Sequence, residues 1–305
     1  MTSNIKISVC IPTYNGEKKI VTIINALEQQ SIQDFETIIG IDGSSDSTEE
    51  ILKSLHPKLN SFRFISSKNV GRAKIRNLIA NNSQGDLLIF FDDDMRPTKD
   101  CIKLHLNHHQ EIKNSILVGA QLEDLKKCIT DIQKYKAHLS RKWLPAKKEK
   151  VSYPFITAAN FSIPKELFSN LNGFDERLTD AEDYDLAIRA FEKNINIYLD
   201  PKIIAWHDDF ITYNSYVLRQ REYQNSQKEL MRINSLASTK YNKRAYHPKN
   251  GLKQFILTIL ATSTIFNSIN KEAIWLKLLP KKIRYKIYDL SIIALAKEFP
   301  NKKIL

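Results

Sequence analysis

The sequence predicts an α/β fold, a mostly parallel sheet flanked by helices on both faces, followed by a helical C-terminal extension. Three observations carry this reading. Over residues 7–91, short apolar and β-branched runs alternate with stretches of helical apolar spacing, the pattern of βα units that build parallel sheets. Polar residues follow directly after the last apolar residue of several of those runs. Beyond Asp209 the strand-like runs stop and helical periodicity takes over.

Taken in order, a β-rich run over 7–11 is stopped by Pro12, and Ile20, Ile23, Ile24 and Leu27 then recur at i, i+3, i+4, i+7 spacing, giving a strand, a turn and a helix. Residues 35–41 read as a second buried strand, closed by the turn-rich Asp42-Gly43-Ser44-Ser45-Asp46-Ser47-Thr48 and a helix over 49–55. A third strand is expected over 62–65. A helix over 70–80 places Ile75, Leu78 and Ile79 on one face, and 87–91 is a fourth strand. After residue 96 the pattern is less regular: a helix over 99–110, a strand over 116–120, a basic helix-prone stretch to about 150, and strand character over 155–163. A turn at Asn172-Gly173-Phe174-Asp175, a helix from Ala181 and last strands over 195–199 and 203–206 complete this part.

The chain has 305 residues, 42% hydrophobic and 26% charged, enough for one large soluble-type domain or one domain with an extension. Met1 to Lys6 leads into the first strand without the basic and apolar regions of a signal peptide, so export is not expected. Cys10, Cys101 and Cys128 are odd in number and far apart, which indicates neither a disulfide framework nor a zinc site and suits the reducing cytoplasm. Net charge is +12. Residues 208–305 hold 18 Lys and Arg against 7 acidic residues, whereas 1–207 hold 28 against 27. This surplus suggests an anionic partner, lipid head groups or nucleic acid, with a merely solvated basic surface as the plain alternative.

The chemistry concentrates at Phe90-Phe91-Asp92-Asp93-Asp94. Adjacent carboxylates repel and are costly to desolvate, so placing three at the end of a buried strand calls for a compensating positive group. A divalent cation with oxygen ligands, Mg²⁺ or Mn²⁺, fits that need; a solvated acidic turn is the simpler alternative. Thr13, Asp42 and Asp92 to Asp94 all fall at carboxyl ends of strands, where open α/β sheets bind ligands. Neither GxGxxG nor GxxxxGK[ST] occurs, which removes the dinucleotide fingerprint and the P-loop.

Val9-Cys10-Ile11-Pro12-Thr13-Tyr14-Asn15, Ile41-Asp42-Gly43-Ser44-Ser45-Asp46, Asn69-Val70-Gly71-Arg72-Ala73, Phe91-Asp92-Asp93-Asp94, Leu171-Asn172-Gly173-Phe174-Asp175-Glu176 and Ala181-Glu182-Asp183-Tyr184-Asp185 stand in this order over 7–207. The ordered set resembles the family-two inverting glycosyltransferases with the Rossmann-like GT-A fold. The resemblance implies a catalytic domain over 1–207, with nucleotide-sugar binding in 1–96 and the acceptor side in 97–207. It also implies a nucleotide-sugar donor, UDP-linked by expectation, a Mn²⁺ or Mg²⁺ ion, and transfer with inversion. Pro12, Thr13, Tyr14, Asp42, Arg72, Asp92 and Asp93 match donor-binding positions, and Asp94 the direct metal ligand. Asn160, Glu182 and Trp206 fall on the acceptor side, Asp183 at the general base, and His207 where relatives hold a further metal ligand.

Two local readings stand beside this. Thr179 and Glu182 form a capping-box pattern, which would start a helix carrying Tyr184, Ala187, Ile188 and Phe191 inward and hold Asp183 ionised in the first turn. The structural alternative for both acids is that they only charge-match the helix end. No Ser-His-Asp or Cys-His arrangement offers a covalent nucleophile.

The extension, 208–305, carries Leu252, Phe255, Ile256, Ile259, Leu260 and Phe266 at helical spacing, and the uncharged run 254–270 is short of a membrane span. Trp275, Leu276, Leu278 and Leu279 precede Lys281-Lys282-Ile283-Arg284-Tyr285-Lys286, so peripheral contact with anionic lipid on the inner face of the cell membrane is one expectation. Packing as a cap or against a second subunit is the other. The sequence lacks QxxRW, the mark of processive relatives, which favours transfer of a single sugar to a glycan or lipid-linked glycan. A catalytically silent sugar-nucleotide-binding module is the alternative. Nucleic-acid binding is not expected, because the basic residues form no recognised binding motif.

Overall fold

The computed structural model describes residues 6–241 and 251–302; the N-terminal residues 1–5, part of the stretch read for export, lie outside them. Two compact units are present. One runs to Leu122 and resumes over Ser140–Asp208; the other comprises Glu123–Leu139 and the residues from Asp209 on.

The first unit is built from β1 (Ile7–Thr13), α1 (Ile20–Glu28), β2 (Glu36–Asp42), α2 (Thr48–Ser54), β3 (Ser61–Ser67), α3 (Arg72–Asn82), β4 (Leu87–Phe91), β5 (Met95–Pro97), α4 (Cys101–Glu111) and β6 (Ser115–Leu122). After α5 (Asp131–Lys142) follow β7 (Glu149–Lys150), β8 (Asn160–Pro164), α6 (Lys165–Asn170), α7 (Glu182–Glu192) and β9 (Asn196–His207). Among the described residues these strands form one sheet in the order β3-β2-β1-β4-β8-β6-β9-β5, with β7 also paired to β9. β3, β2, β1 and β4 are parallel, as the βα alternation requires. β8 enters antiparallel between β4 and β6, and β5 folds back antiparallel on β9. The sheet is therefore mixed beyond its first four strands. The two last strands read from the sequence are one, β9, which stays paired to β6 through a register shift at Gly119/Ala120.

Strands buried on both faces send alternate side chains into two cores. Leu88 and Phe90 of β4 join Cys10, Ile38, Ile75, Ile79, Phe161 and Leu186 on the α3 and α7 side. Leu87, Ile89 and Phe91 join Val9, Ile11, Ile24, Leu27 and Ile102 on the side of α1 and α4. Phe90 stacks on Phe161 at 4.9 Å between ring centroids and meets Phe174 edge-on at 5.6 Å. Truncating Phe90 to alanine is expected to remove about 3–5 kcal/mol of stability, read from urea unfolding, because the hole is fenced by β-sheet that cannot collapse into it.

This topology fixes the site. Strand order reverses at β1, which has β2 on one side and β4 on the other, so Thr13 and the acids after Phe91 share the carboxyl rim at the switch point.

The second unit is helical: α8 (Tyr213–Ile233), α9 (Ser235–Thr239), α10 (Gly251–Leu260), α11 (Ser263–Asn270), α12 (Ile274–Lys277) and α13 (Lys281–Ile293), ending in a π-helical turn over Ala294–Glu298. Thr212 and Ser215 form a reciprocal cap on α8. Tyr213, Val217, Leu257, Phe266, Ile269, Leu276, Tyr288 and Leu295 share its core with Ile132 and Tyr135. Asp131 ties the segment in by accepting from Arg284 Nε at 2.5 Å and from the Tyr288 hydroxyl at 2.8 Å. Among the described residues no single helix is long and apolar enough to cross a membrane; α10 and α11 meet that test only as a pair bent by 56°.

Candidate active site

The loops after β1 and β2 are laced together at the rim. Asn15 Oδ1 accepts from the Ser45 amide at 2.9 Å, and the Gly16 amide donates to Thr48 Oγ1 at 2.8 Å. A side chain at Gly16 would have to displace the Thr13–Asp93 pair: an added Cβ would lie 2.1 Å from Thr13 Oγ1 and 2.9 Å from Asp93 Oδ2. Pro12 does not stop β1 as the sequence suggests: it sits opposite Gly40, the pairing runs on to Thr13 opposite Ile41, and Tyr14 projects from the rim 52% exposed, an open ring face. Asp42 is buried and accepts from the amides of Val70 (2.6 Å) and Gly71 (3.0 Å), so its carboxylate shapes the turn into α3.

Thr13 donates to Asp93 Oδ2 at 2.7 Å. Asp93 is buried, and desolvation pushes its pKa up to about 6, helped by the charges of Asp94 and Asp92 and opposed by Lys19 and the Thr13 bond. Lys19, at the start of α1, places its ammonium 3.6 Å from both Asp93 Oδ1 and Asp94 Oδ2. His207 Nε2 lies 3.4 Å from Asp94 Oδ1. The β5–β9 ladder sets that approach: Met95 pairs with His207, the Asp208 amide donates to the Asp94 carbonyl at 2.9 Å, and Arg96 grips Asp208 through Nε (2.8 Å) and Nη2 (3.1 Å). Asp208 thus locks the strand that carries His207.

Asp94 and His207 fit a shared divalent cation. Two ligands of one octahedral ion at about 2.0–2.2 Å lie roughly 3 Å apart, close to the observed separation. Among the described residues no three His, Cys, Asp or Glu gather into a metal-holding group, so further ligand positions would fall to water and phosphate oxygens.

The acids are compensated by a residue that sequence reasoning missed. Arg76, 4% exposed, donates through Nη2 to Asp92 Oδ1 and through Nη1 to Glu182 Oε1, both at 2.5 Å. It joins the first acid of the rim to the first residue of α7. Arg72, one turn earlier, is 53% exposed and reaches Asp180 at 3.7 Å. Only the burial of Arg76 distinguishes the two, and that depends on α7, brought up by the Asn172–Phe174 turn, which Asn77 clamps by donating to the Phe174 carbonyl and accepting from its amide, both at 2.9 Å.

Asp183 stands in the first turn of α7 and accepts from the amides of Tyr184 (2.7 Å) and Ala158 (3.2 Å). Its pKa is pushed up to about 7, first by desolvation and then by the Glu182 charge, against the lowering pull of the Ala158 amide, Arg76 and the Tyr184 amide. The helix N-terminus alone would hold Asp183 ionised well below this value; burial outweighs the dipole. The capping box is also absent, since Ala181, left-handed at φ 64°, occupies the N-cap and has no capping side chain. The inward face of α7 is Leu186, Ala187, Ile188 and Ala190, while Tyr184 and Phe191 are half-buried.

The acceptor-side expectations fare differently. Asn160 is fully buried, its Nδ2 donating to the carbonyls of Ala120 (3.1 Å) and Ile203 (3.0 Å) and its Oδ1 3.0 Å from His105 Nε2, so it fixes β8 inside the sheet. Glu182 is buried in its pair with Arg76, and burial raises its pKa. Trp206 alternates with His207 along β9 and lines a cleft with Thr22, Asn25, Gln29 and Arg96, on the other side of the strand from the Asp94 pair.

The comparisons with known proteins agree with this architecture. The family model "Glycosyl transferase family 2" matches residues 8–171. An uncharacterized glycosyltransferase of Bacillus subtilis is 34% identical over 115 residues, 37% of this chain and 29% of that protein. The poly(ribitol-phosphate) β-N-acetylglucosaminyltransferase TarS of Staphylococcus aureus is 33% identical over 101 residues, 32% of this chain and 18% of TarS. The crystal structure of S. aureus TarS 1–349 in complex with UDP superposes with a TM-score of 0.56 at 18% identity, covering 97% of this chain and 91% of that one, a likeness of fold. The matches span from under a fifth to about 69% of the length of these and similar curated relatives, and 29% of the Bacillus protein. With a family match over more than half its length and the GT-A architecture around the acidic rim, the chain belongs to glycosyl transferase family 2.

Proposed function

We propose that this chain is a metal-dependent inverting glycosyltransferase that moves a single sugar from a UDP-sugar to a hydroxyl of a glycan or lipid-linked glycan. The observation that carries this reading is the convergence of Asp94 and His207, 3.4 Å apart, at the strand rim of a chain that also holds a half-buried carboxylate of near-neutral pKa on α7. The choice of UDP is supported by the fold neighbour TarS, solved with UDP and with UDP-GlcNAc.

Pro12, Thr13, Tyr14 and Asp42 surround the place for the nucleoside, with the Tyr14 ring available for stacking on a base. Arg72 is the exposed cation beside it. Asp92 and Asp93, held by Arg76 and Thr13, face the ribose and diphosphate, and Asp94 with His207 would hold the Mn²⁺ or Mg²⁺ ion. The bound cation supplies electrostatic stabilisation of charge growing on the leaving diphosphate. Asp183 accepts the proton of the acceptor hydroxyl as that oxygen attacks the anomeric carbon from the face opposite the diphosphate. A single displacement needs no covalent enzyme intermediate and inverts the configuration.

The test is a panel of nucleotide sugars incubated with the chain, Mn²⁺ and glycan acceptors, with the product's anomeric configuration read by NMR. A UDP-sugar giving the inverted linkage is the expected result; a retained configuration would overturn the single displacement.

A further inference from the structure

We infer that the exposed stripe of α10, with the basic and apolar surface of α12 and α13, docks on an anionic lipid bilayer. Leu252, Phe255, Ile256 and Ile259 recur at i, i+3, i+4, i+7 and therefore line one side of α10. All four face solvent, between 41% and 71% exposed, while Leu257 on another side is fully buried in the helical unit. The helix thus has one apolar side packed and a second one turned outward. Single exposed aliphatic residues are ordinary, but a continuous stripe marks a contact surface.

The neighbouring helices extend the pattern. α13 packs against α10, and α12 leads directly into α13. Ile274, Trp275, Leu278 and Ile283 there are 79%, 42%, 80% and 51% exposed. Lys281, Lys282 and Lys286 are exposed among them. Over 251–302 the sequence has nine Lys and Arg against three acidic residues. Glu272 pairs with Lys277 at 3.2 Å and Asp289 accepts from the Tyr135 hydroxyl, while Arg284 is paired with Asp131, so the exposed surplus is carried by lysines. Apolar side chains, a tryptophan and surplus lysines on adjoining helices are the composition of an element lying in the headgroup region.

Charge decides the occupant. A second copy in a two-fold interface would bring this lysine-bearing surface against itself, whereas anionic lipid answers both the charge and the apolar stripe. Geometry decides the mode. Ten residues of α10 reach about 15 Å, half of a ~30 Å hydrocarbon core. α11, the other half of the bent pair, buries Phe266 and Ile269 in its own unit. The surface therefore lies on the bilayer and does not span it.

Sedimentation of the full chain with phosphatidylcholine vesicles, with and without phosphatidylglycerol, tests this independently of any donor or acceptor. Binding is expected only to the anionic vesicles and should fall as salt is raised. A Phe255→Gln/Ile259→Gln variant is expected to bind at least about tenfold more weakly. A Lys281→Gln/Lys282→Gln/Lys286→Gln variant should lose about a hundredfold, at roughly fivefold per lysine. Because these side chains are exposed, an unchanged circular dichroism spectrum and thermal midpoint will report that the variants fold. Equal binding to neutral vesicles, or no binding, would overturn the inference. So would light scattering that shows the Phe255/Ile259 variant turning a dimer into a monomer while vesicle binding stays the same.

Discussion

Asp183→Asn is expected to lower turnover by about 10²–10⁴-fold, the usual contribution of a positioned general base, while nucleotide binding is retained. The substitution keeps the shape of the side chain and removes its capacity to take a proton. It also turns one carboxylate oxygen into an NH₂ group, so one of the two amides now paired with it, from Tyr184 or Ala158, loses its acceptor at a cost of about 1–3 kcal/mol. Unfolding curves will separate that loss from the catalytic one. The wild-type pH profile is the second half of the experiment. A base must be deprotonated to act, and burial with the Glu182 charge raises Asp183 to about 7, so kcat/KM should climb with pH and level off above that value. In the asparagine variant this limb should vanish from the residual activity. Normal turnover in the variant would remove Asp183 from its role, and a limb near the ordinary carboxylate range would contradict the raised value.

Arg76→Met is expected to cost about 3–5 kcal/mol of stability and most of the activity, because it strips a buried cation from two carboxylates at once. Asp92 is partly exposed and can recover solvation; Glu182 is enclosed and cannot. Without Arg76, Glu182 is driven further toward its protonated form. A carboxyl whose folded pKa is raised binds its proton more tightly in the folded state, so that stability is present at low pH and lost as pH rises through the raised value. The variant's deficit should therefore shrink on acidification. Arg76→Met combined with Glu182→Gln should regain much of the lost stability while leaving Asp92 without its partner. If the single variant unfolds at the same urea concentration as the wild type, the bridge does not hold the rim to α7.

How much of this was legible in the sequence follows from the range of the forces involved. The strands over β1, β2 and β4 and the acids after Phe91 were readable because burial on both faces leaves continuous apolar runs and the polar rim interrupts them abruptly. The apposition of His207 with Asp94 was suggested only by resemblance; its physical basis, the β5–β9 pairing and the Arg96–Asp208 fork, joins residues more than a hundred positions apart. Arg76 is indistinguishable from Arg72 in the sequence because both lie on one helix a turn apart, and which of them is buried is decided by α7. The capping-box spacing at Thr179 and Glu182 is misleading because the helix begins at Glu182 itself, behind a left-handed Ala181, and the Glu182 side chain is taken by Arg76. In the second unit the apolar stripe of α10 was visible as a pattern, but periodicity cannot say whether a stripe faces a core or the outside.

Calorimetric titration of UDP into the wild type and Asp94→Ala, each with Mn²⁺ and with a chelator, reads the metal site itself. If Asp94 and His207 hold an ion against the diphosphate, Mn²⁺ should tighten UDP binding to the wild type by at least about tenfold, or about 1.4 kcal/mol, and leave Asp94→Ala unchanged. Equal UDP affinity with Mn²⁺ and with chelator in the wild type, or a Mn²⁺ effect that survives in Asp94→Ala, would contradict it.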